Sequence, residues 1–147
     1  MERLKTLLRD QLGAVVIETA FVAPVLVLMG LGAFEAGMMV SRHVELQNAA
    51  AEASQIAMAS PPADATERAT LKTIIKTSTG LGDTGVTLAE KFRCGTDTAY
   101  VDTHTGCTAE YSKYIEIRLT DTYVPIWKKV AFGSNVNIAI TRMVQIG

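Results

Sequence analysis

An uncharged stretch from Ala14 to Phe34, interrupted only by Glu18, is the feature that most constrains this chain. About 20 apolar residues are enough for a helix to cross a bilayer. A carboxylate in such a helix costs roughly 2.5–3.5 kcal/mol near the bilayer centre and less near the interface. An ionisable residue in that setting is by default a hypothesis about function. The sequence therefore predicts a membrane-spanning helix in which Glu18 has a role.

Gly13, directly before this stretch, indicates a partner for Glu18. Cleavage after Gly13 would leave Ala14 as the first residue, with an α-amino group whose unperturbed pKa is about 7.7–8.0. Glu18 lies four positions further on, on the same face of a helix, and could pair with this amine or a neighbour's. Glycine suits such a cut because it has no Cβ to resist extended backbone or close approach. In the alternative interpretation the segment is a signal anchor, and Glu18 reaches water at the cytoplasmic interface.

The residues before the apolar stretch indicate its orientation. The first thirteen residues carry three basic side chains against two acidic ones, and positive segments tend to stay in the cytoplasm. We therefore predict a cytoplasmic leader over 1–13 and a transmembrane helix over 14–40, with the rest of the chain outside. A cleaved secretory signal is the alternative, but its apolar core spans only about 7–15 residues, and this run is longer.

Alanine-rich sequence without glycine or proline continues from residue 41 to Ala59. This composition favours helix, and Ser60-Pro61-Pro62 should end it. We predict that residues 41–60 are an exported continuation of the transmembrane helix. Their alanine face must pack on something, and the remaining residues, 61–147, are the natural partner. Pro24 should bend the helix because it removes one backbone hydrogen bond.

The sequence of residues 61–147 predicts a small α+β domain. A short helix is predicted from Glu67 to about Thr79, capped by Asp64 or Thr66, with Leu71, Ile74 and Ile75 as its apolar stripe. Alternating apolar and polar residues then predict strands over Val86–Phe92, Tyr114–Tyr123 and from Val136 to Val144 or Ile146. The expected fold is a long N-terminal helix that carries an antiparallel sheet of three or four strands.

Two cysteines, Cys94 and Cys107, bound a polar loop in the distal half. An exported domain favours one disulfide between them, and two free thiols are the alternative. The loop could be a recognition surface or a simple connector. An apolar cluster follows the second predicted strand and is expected to cover the open end of the sheet, with contact to a neighbour or the membrane as the alternative; it contains Val124, Ile126, Trp127, Val130 and Phe132.

The sequence lacks the residues that several classes of function require. His43 and His104 are the only histidines and lie far apart in the sequence, and the cysteines have no Cys-x-x-Cys spacing, which argues against zinc. Nucleophile-elbow, phosphate-loop and dinucleotide motifs are missing. A formal net charge of -1 gives no electrostatic case for nucleic acid. We therefore predict no catalysis, no cofactor, no metal and no nucleic-acid partner.

Together these features resemble the TadE-like pseudopilins of tight-adherence (Flp-type) pilus systems. The resemblance is carried by the leader charges, Gly13 with Glu18 five residues later, Pro24, Glu35, Gly37 and the segment Leu46-Gln47-Asn48-Ala49-Ala50-Ala51-Glu52-Ala53. Thr19 departs from it, because the family often has an aromatic residue there. The resemblance implies a pilin-like architecture and a minor subunit that takes part in pilus assembly and cell adhesion.

The resemblance also implies the surroundings of the chain. It would be the substrate of a prepilin peptidase that cuts between Gly13 and Ala14, and not itself an enzyme. Its partners would be that peptidase, sibling pseudopilins, the major pilin and the inner-membrane assembly platform. It would cross the bacterial inner membrane once, with its C-terminal domain periplasmic or extracellular. The alternative function is an uncleaved membrane-anchored binding module that uses the cysteine loop and the apolar cluster around Trp127.

Overall fold

The computed structural model describes residues 11–108, 110–130 and 134–147. Its elements in chain order are α1 (Gln11–Ala59), α2 (Ala65–Thr79), β1 (Val86–Cys94), β2 (Tyr111–Tyr123), the 3₁₀ helix η1 (Ile126–Val130) and β3 (Val136–Gln145). The predicted α+β fold, a long N-terminal helix followed by a small antiparallel sheet, is confirmed. Most of the predicted leader, residues 1–10, lies outside the described residues. Internal contacts divide the chain into two compact units, Met1–Met38 and Met39–Gly147.

Helix α1 ends at Ala59, as the sequence predicts. The Ser60 N–H still donates to the Ile56 carbonyl at 2.8 Å, but the two prolines that follow have no N–H to continue the ladder. Pro24 lies inside the helix, which continues through it. The helix can tolerate this proline because only one backbone hydrogen bond is removed.

Both ends of helix α2 are capped by residue types that are common at those positions. The Asp64 side chain accepts hydrogen bonds from the N–H groups of Thr66 and Glu67, both at 2.8 Å, so Asp64 is the N-cap. Gly80 has a φ of 68° and closes the C-terminus in the left-handed conformation. The helix therefore begins at Ala65, two residues before the predicted start at Glu67.

The predicted apolar stripe of α2 is partly wrong. Leu71 and Ile75 are buried, but Ile74 is 48% exposed, and Thr79 is buried instead. Residues 71, 75 and 79 recur every four positions and form one narrow line on the helix. The Thr79 hydroxyl can be buried there because it donates to the Ile75 carbonyl at 2.7 Å.

The sheet has the order β1-β2-β3, and both pairs of neighbours are antiparallel. Leu119 lies between Val86 on β1 and Ile140 on β3. The strand predicted at Tyr114–Tyr123 is thus the central one, and it begins three residues earlier than expected. The alternation predicted for it is confirmed, because Ile115, Ile117 and Leu119 are all completely buried.

The core lies between this sheet and the outer part of α1. Four helix residues are buried in the same cluster as the inward-facing strand residues: Leu46, Ala50, Ala53 and Ala57. Their spacing of four, three and four residues keeps them on one helix face. We call these four residues the alanine seam. Because three of its side chains are single methyl groups, the helix backbone can approach the sheet closely.

Cys94 and Cys107 are paired as a disulfide, with their Cα atoms 5.2 Å apart. The loop between them is also attached to the sheet. Val101 and Phe92 exchange two backbone hydrogen bonds, each at 2.8 Å, in an isolated antiparallel bridge. Val101 therefore forms a single β-bridge with the edge of β1.

In the described part of the apolar cluster after β2, the side chains of Val124 and Ile126 do not cover the sheet as predicted. Val124 and Ile126 are 53% and 55% exposed, and Trp127 on η1 is half-buried. Phe132 lies outside the described residues. Pro125, which ends β2, is the buried residue of this stretch, because the turn into η1 folds the proline inward and the aliphatic side chains outward.

Enlarging the alanine seam should destabilise the domain. Ala53→Leu adds side-chain volume where the residue is 1% exposed, and overpacking of this kind typically costs about 1–3 kcal/mol. Asn48→Leu, on an exposed position of the same helix, is the matched control and should change stability by less than about 0.5 kcal/mol. Thermal unfolding of the detergent-solubilised chain, followed by near-ultraviolet circular dichroism, measures both. Equal melting of the two variants would contradict this account of the core.

Removing the disulfide should also weaken the domain. A disulfide that closes a loop of about 15 residues stabilises by roughly 3 kcal/mol in the chain-entropy description. We expect the double variant Cys94→Ala, Cys107→Ala to lose an amount of this size in guanidinium unfolding. Wild type treated with reductant should match the double variant, whereas reductant should leave the double variant unchanged. An unfolding midpoint that does not move in either case would exclude a stabilising role for the bond.

Candidate functional site

The predicted cleavage segment lies within α1. Gly13, Ala14 and Glu18 all have helical backbone, so the four-residue spacing places Ala14 and Glu18 on one helix face. The Gly13–Ala14 bond is helical and not extended, and a peptidase would have to unwind it. Glycine lowers that cost, because it disfavours helix by about 1 kcal/mol relative to alanine. The Glu18 side chain is exposed.

The helix surface after Gly13 is apolar and uncovered. Large apolar side chains from Val16 to Phe34 are exposed by roughly half to three-quarters, with Phe21 the most exposed at 75%. In water this would be a large unfavourable surface, and monomeric soluble proteins rarely carry one. Within the described residues, α1 is the one helix long and apolar enough to cross a membrane. By length and composition it fits a single-pass anchor near the N-terminus.

The first basic residue after the apolar stretch, Arg42, joins three elements of the second unit. Its Nε donates to Asp121 Oδ2 on β2 at 2.7 Å, and its Nη1 donates to Glu45 Oε2 at 2.9 Å. The same Nη1 donates to the Thr79 carbonyl at the end of α2, at 3.0 Å. Burial opposes the charge, but the hydrogen bonds to Glu45 and Asp121 outweigh it and raise the pKa of Arg42.

Sequence analysis did not single out Arg42. The available signal was its place as the first cation after the apolar run, which is the usual position of an interfacial anchor. Its contacts with Asp121 and Thr79 join residues that are far apart in the chain, and no local pattern contains them. Arg42 therefore fixes the helix to the sheet just after residue 38, the end of the first unit.

The disulfide loop packs an aromatic group against the end of the sheet. The His104 ring stacks on Tyr111 with centroids 4.5 Å apart, and it also contacts Phe92 at 4.9 Å. Tyr100 meets Tyr114 edge to face at 5.0 Å. Tyr100 and Tyr111 remain 40% and 46% exposed. The loop thus presents a fixed, partly exposed aromatic surface, which suits contact with another molecule better than a mobile connector would.

An ion pair fastens the same loop to the face of the sheet that points away from α1. The Lys91 ammonium on β1 donates to Asp102 in the loop. This hydrogen bond raises the pKa of Lys91, and Glu116 on β2, 3.7 Å from the ammonium, adds to the effect. Asp102 is therefore engaged within the chain.

The histidines of the described residues are engaged in contacts within the chain. No group of three or more histidine, cysteine or acidic side chains in the part of the chain that the structure describes lies close enough to hold a metal ion. His43 pairs with the Gln47 side chain at 2.9 Å, and His104 stacks in the aromatic group. The predicted site residues fall into two places: Gly13, Ala14 and Glu18 in the first unit, and Cys94 and Cys107 in the second.

The apolar helix and the alanine seam are the part of the chain that is similar to known proteins. Residues 13–55 match the family described as TadE-like protein. The matched segment begins at Gly13, contains Glu18 and the exposed apolar stretch, and reaches Ala53 of the seam. No curated protein and no solved structure matches the chain. Over residues 13–55 the chain is similar to the TadE-like family, and this match agrees with the resemblance drawn from its sequence.

Proposed function

We propose that this chain is a minor pilin-like subunit, cut by a prepilin peptidase after Gly13, that takes part in the assembly of a tight-adherence pilus. The coarser part of this statement, an association with such pili, follows from the TadE-like segment at residues 13–55. One observation carries the finer part. Gly13 and Glu18 stand at the head of an exposed apolar helix, inside that segment, at the spacing that a new amine and its carboxylate require.

Processing resolves the electrostatic problem that Glu18 poses. A carboxylate among exposed apolar side chains is costly in lipid unless a cation meets it. The amine created at Ala14 lies one helical turn away and is largely protonated near neutral pH. Pairing with the amine of the same or of an adjacent subunit would offset part of the cost of both charges. An intersubunit pair would also set the axial stagger between neighbouring helices.

The second unit provides the exported part of such a subunit. The alanine seam and Arg42 hold the sheet on the outer part of α1. The role is structural and not catalytic. The partners that we propose are the prepilin peptidase, sibling pseudopilins, the major pilin and the inner-membrane assembly platform.

The exposed aromatic surface of the disulfide loop supports a second candidate function. In that case the chain stays uncleaved and serves as a membrane-anchored module that recognises a ligand through Tyr100, Tyr111 and their surroundings. The two functions differ at the N-terminus. Sequencing the N-terminus of the protein extracted from its native membrane gives Ala14 for the pilin-like subunit and Met1 for the anchored module.

Gly13→Val should abolish processing. A β-branched side chain at the cut resists the close approach that the peptidase needs, so the variant should keep its first thirteen residues. Gly30→Val, at a helix glycine with open space around it, is the matched control and should be cut normally. Intact mass spectrometry of both membrane-extracted proteins distinguishes them. A mature mass for Gly13→Val, or an uncut wild type, would exclude cleavage after Gly13.

Glu18→Ala should be processed normally but assemble poorly. Loss of the carboxylate removes the partner of the new amine, and we expect pili to fall about tenfold, the effect of ~1.4 kcal/mol per subunit contact. Glu18→Asp keeps the charge and should restore part of the assembly. Pilus yield from sheared cells, with the mature mass checked in parallel, is the measurement. Normal piliation with Glu18→Ala would remove this role for the acid.

A further inference from the structure

The two edge strands of the sheet, β1 and β3, have different neighbours. At the β1 edge, Phe92 exchanges backbone hydrogen bonds with Val101, and the Arg68 side chain of α2 reaches across to the Glu90 side chain on that strand. On the other side of the sheet, β3 has β2 as its only strand partner among the described residues. The outer side of β3 is therefore the open edge of the described sheet.

The register identifies the backbone groups that point out of this edge. Thr120 N–H donates to the Gly85 carbonyl, so the even-numbered residues of β2 bond toward β1. Ile146 N–H donates to the Lys113 carbonyl, so the odd-numbered residues bond toward β3. On β3 the even-numbered residues then pair with β2. The outward N–H and C=O groups belong to the odd-numbered residues Asn137, Ala139, Thr141, Met143 and Gln145.

Two clefts lie between α1 and this edge. The first, of about 370 Å³, is bordered by Met39, Val40 and Ile138 and is mainly apolar. The second, of about 440 Å³, is bordered by Ser54 and Arg142. A strand added alongside β3 would direct every second side chain toward α1 and into these clefts.

The positive charge of Arg142 favours a partner strand that carries an acidic residue. Five other basic residues of the second unit pair with carboxylates: Arg42, Arg68, Lys76, Lys91 and Lys113. Arg142 is exposed on the helix-facing side of β3, and no carboxylate of the described residues is paired with it. Edge strands that avoid association often carry proline, lysine or an inward-pointing charge; β3 contains no proline or lysine, and Arg142 is its inward-pointing charge, which disfavours an apolar strand but accepts one that brings an acid. Its only charge is complementary to an acid.

We propose that the outer edge of β3 receives an extended strand of a different polypeptide, with alternate apolar side chains over the first cleft and a carboxylate facing Arg142. A second copy of this chain does not meet that description. Its β3 has no acidic residue, its β2 is paired on both sides, and Glu90, the acid of its β1, is already paired with Arg68 and Lys113. The proposal uses only residues of the second unit and is independent of cleavage after Gly13.

A strand peptide tests the charge and the direction of recognition. The probe is Val-Thr-Val-Thr-Glu-Thr-Val-Thr-Val, which presents the acid identically in parallel and antiparallel pairing, and the comparison peptide has lysine in place of glutamate. Against the full-length chain in detergent micelles, we expect the glutamate peptide to bind about fivefold tighter. Arg142→Glu should reverse the preference. Arg118→Glu is the matched control, because Arg118 is exposed on the opposite face of the sheet, and it should leave the preference unchanged.

A proline substitution tests the edge itself. Ala139→Pro removes one outward N–H and no β2–β3 hydrogen bond, a position where edge strands accept proline. Amide hydrogen exchange measured by nuclear magnetic resonance should show that Ile138 and Ile140 stay protected while peptide binding falls at least about tenfold. In wild type, the peptide should slow exchange at Thr141 and Met143.

Three results would overturn the proposal. The first is equal affinity for both peptides with no reversal in Arg142→Glu. The second is undiminished binding by a folded Ala139→Pro. The third is protection of Thr141 and Met143 that rises with the concentration of the chain alone, which would assign the edge to a second copy. Because every measurement uses the uncleaved or the cleaved chain equally well, failure here leaves the proposed processing intact.

Discussion

The contact between the alanine seam and the inner face of the sheet is the interaction on which the rest of the second unit depends. A sheet with one apolar face must bury that face against another element, and the outer part of α1 provides that cover. Alanines at 50, 53 and 57 are buried in the same cluster as Ile115, Ile117 and Leu119. The same helix is apolar and exposed nearer its N-terminus. One continuous element thus serves two environments, and its side-chain size changes accordingly.

Two charged residues of α1 lie near the ends of its exposed apolar surface, and Glu35, between them, is buried. Glu18 lies near the start of the exposed apolar surface, and Arg42 lies just after it ends. Arg42 neutralises Asp121 and also satisfies the Thr79 carbonyl at the C-terminus of α2. A long helix could otherwise slide or rotate on a smooth alanine surface, because methyl groups specify register weakly. The three directed hydrogen bonds of Arg42 supply the register that the seam alone does not fix.

Sequence patterns predicted the positions of the helices and strands better than the burial of their side chains. Strict alternation in β2 identified both the strand and its buried residues, since only one periodicity fits Ile115, Ile117 and Leu119. The cap at Asp64 and the helix end at Ala59 were likewise predictable, because each depends on neighbouring residues: the Asp64 side chain in one case and the two prolines after Ser60 in the other. The errors fell where burial depends on distant residues. Ile74 is exposed because α2 contacts the core along a single line, and Val124 and Ile126 are exposed because Pro125 takes the inward position.

The sequence by itself determined the apolar helix, the placement of Gly13 before Glu18, the alanine-rich continuation and the periods of the strands, because each is a property of neighbouring residues. It also made the cysteine pair available for a disulfide. Only the tertiary structure decided that β2 is central, that Val101 bridges to Phe92 at the β1 edge while β3 is the open edge of the described sheet, and that Arg42 meets Asp121. Strand order, edge exposure and long-range ion pairs arise only when the sheet packs on the helix. They depend on residues that are far apart in the chain, and a local sequence pattern does not contain such residues together.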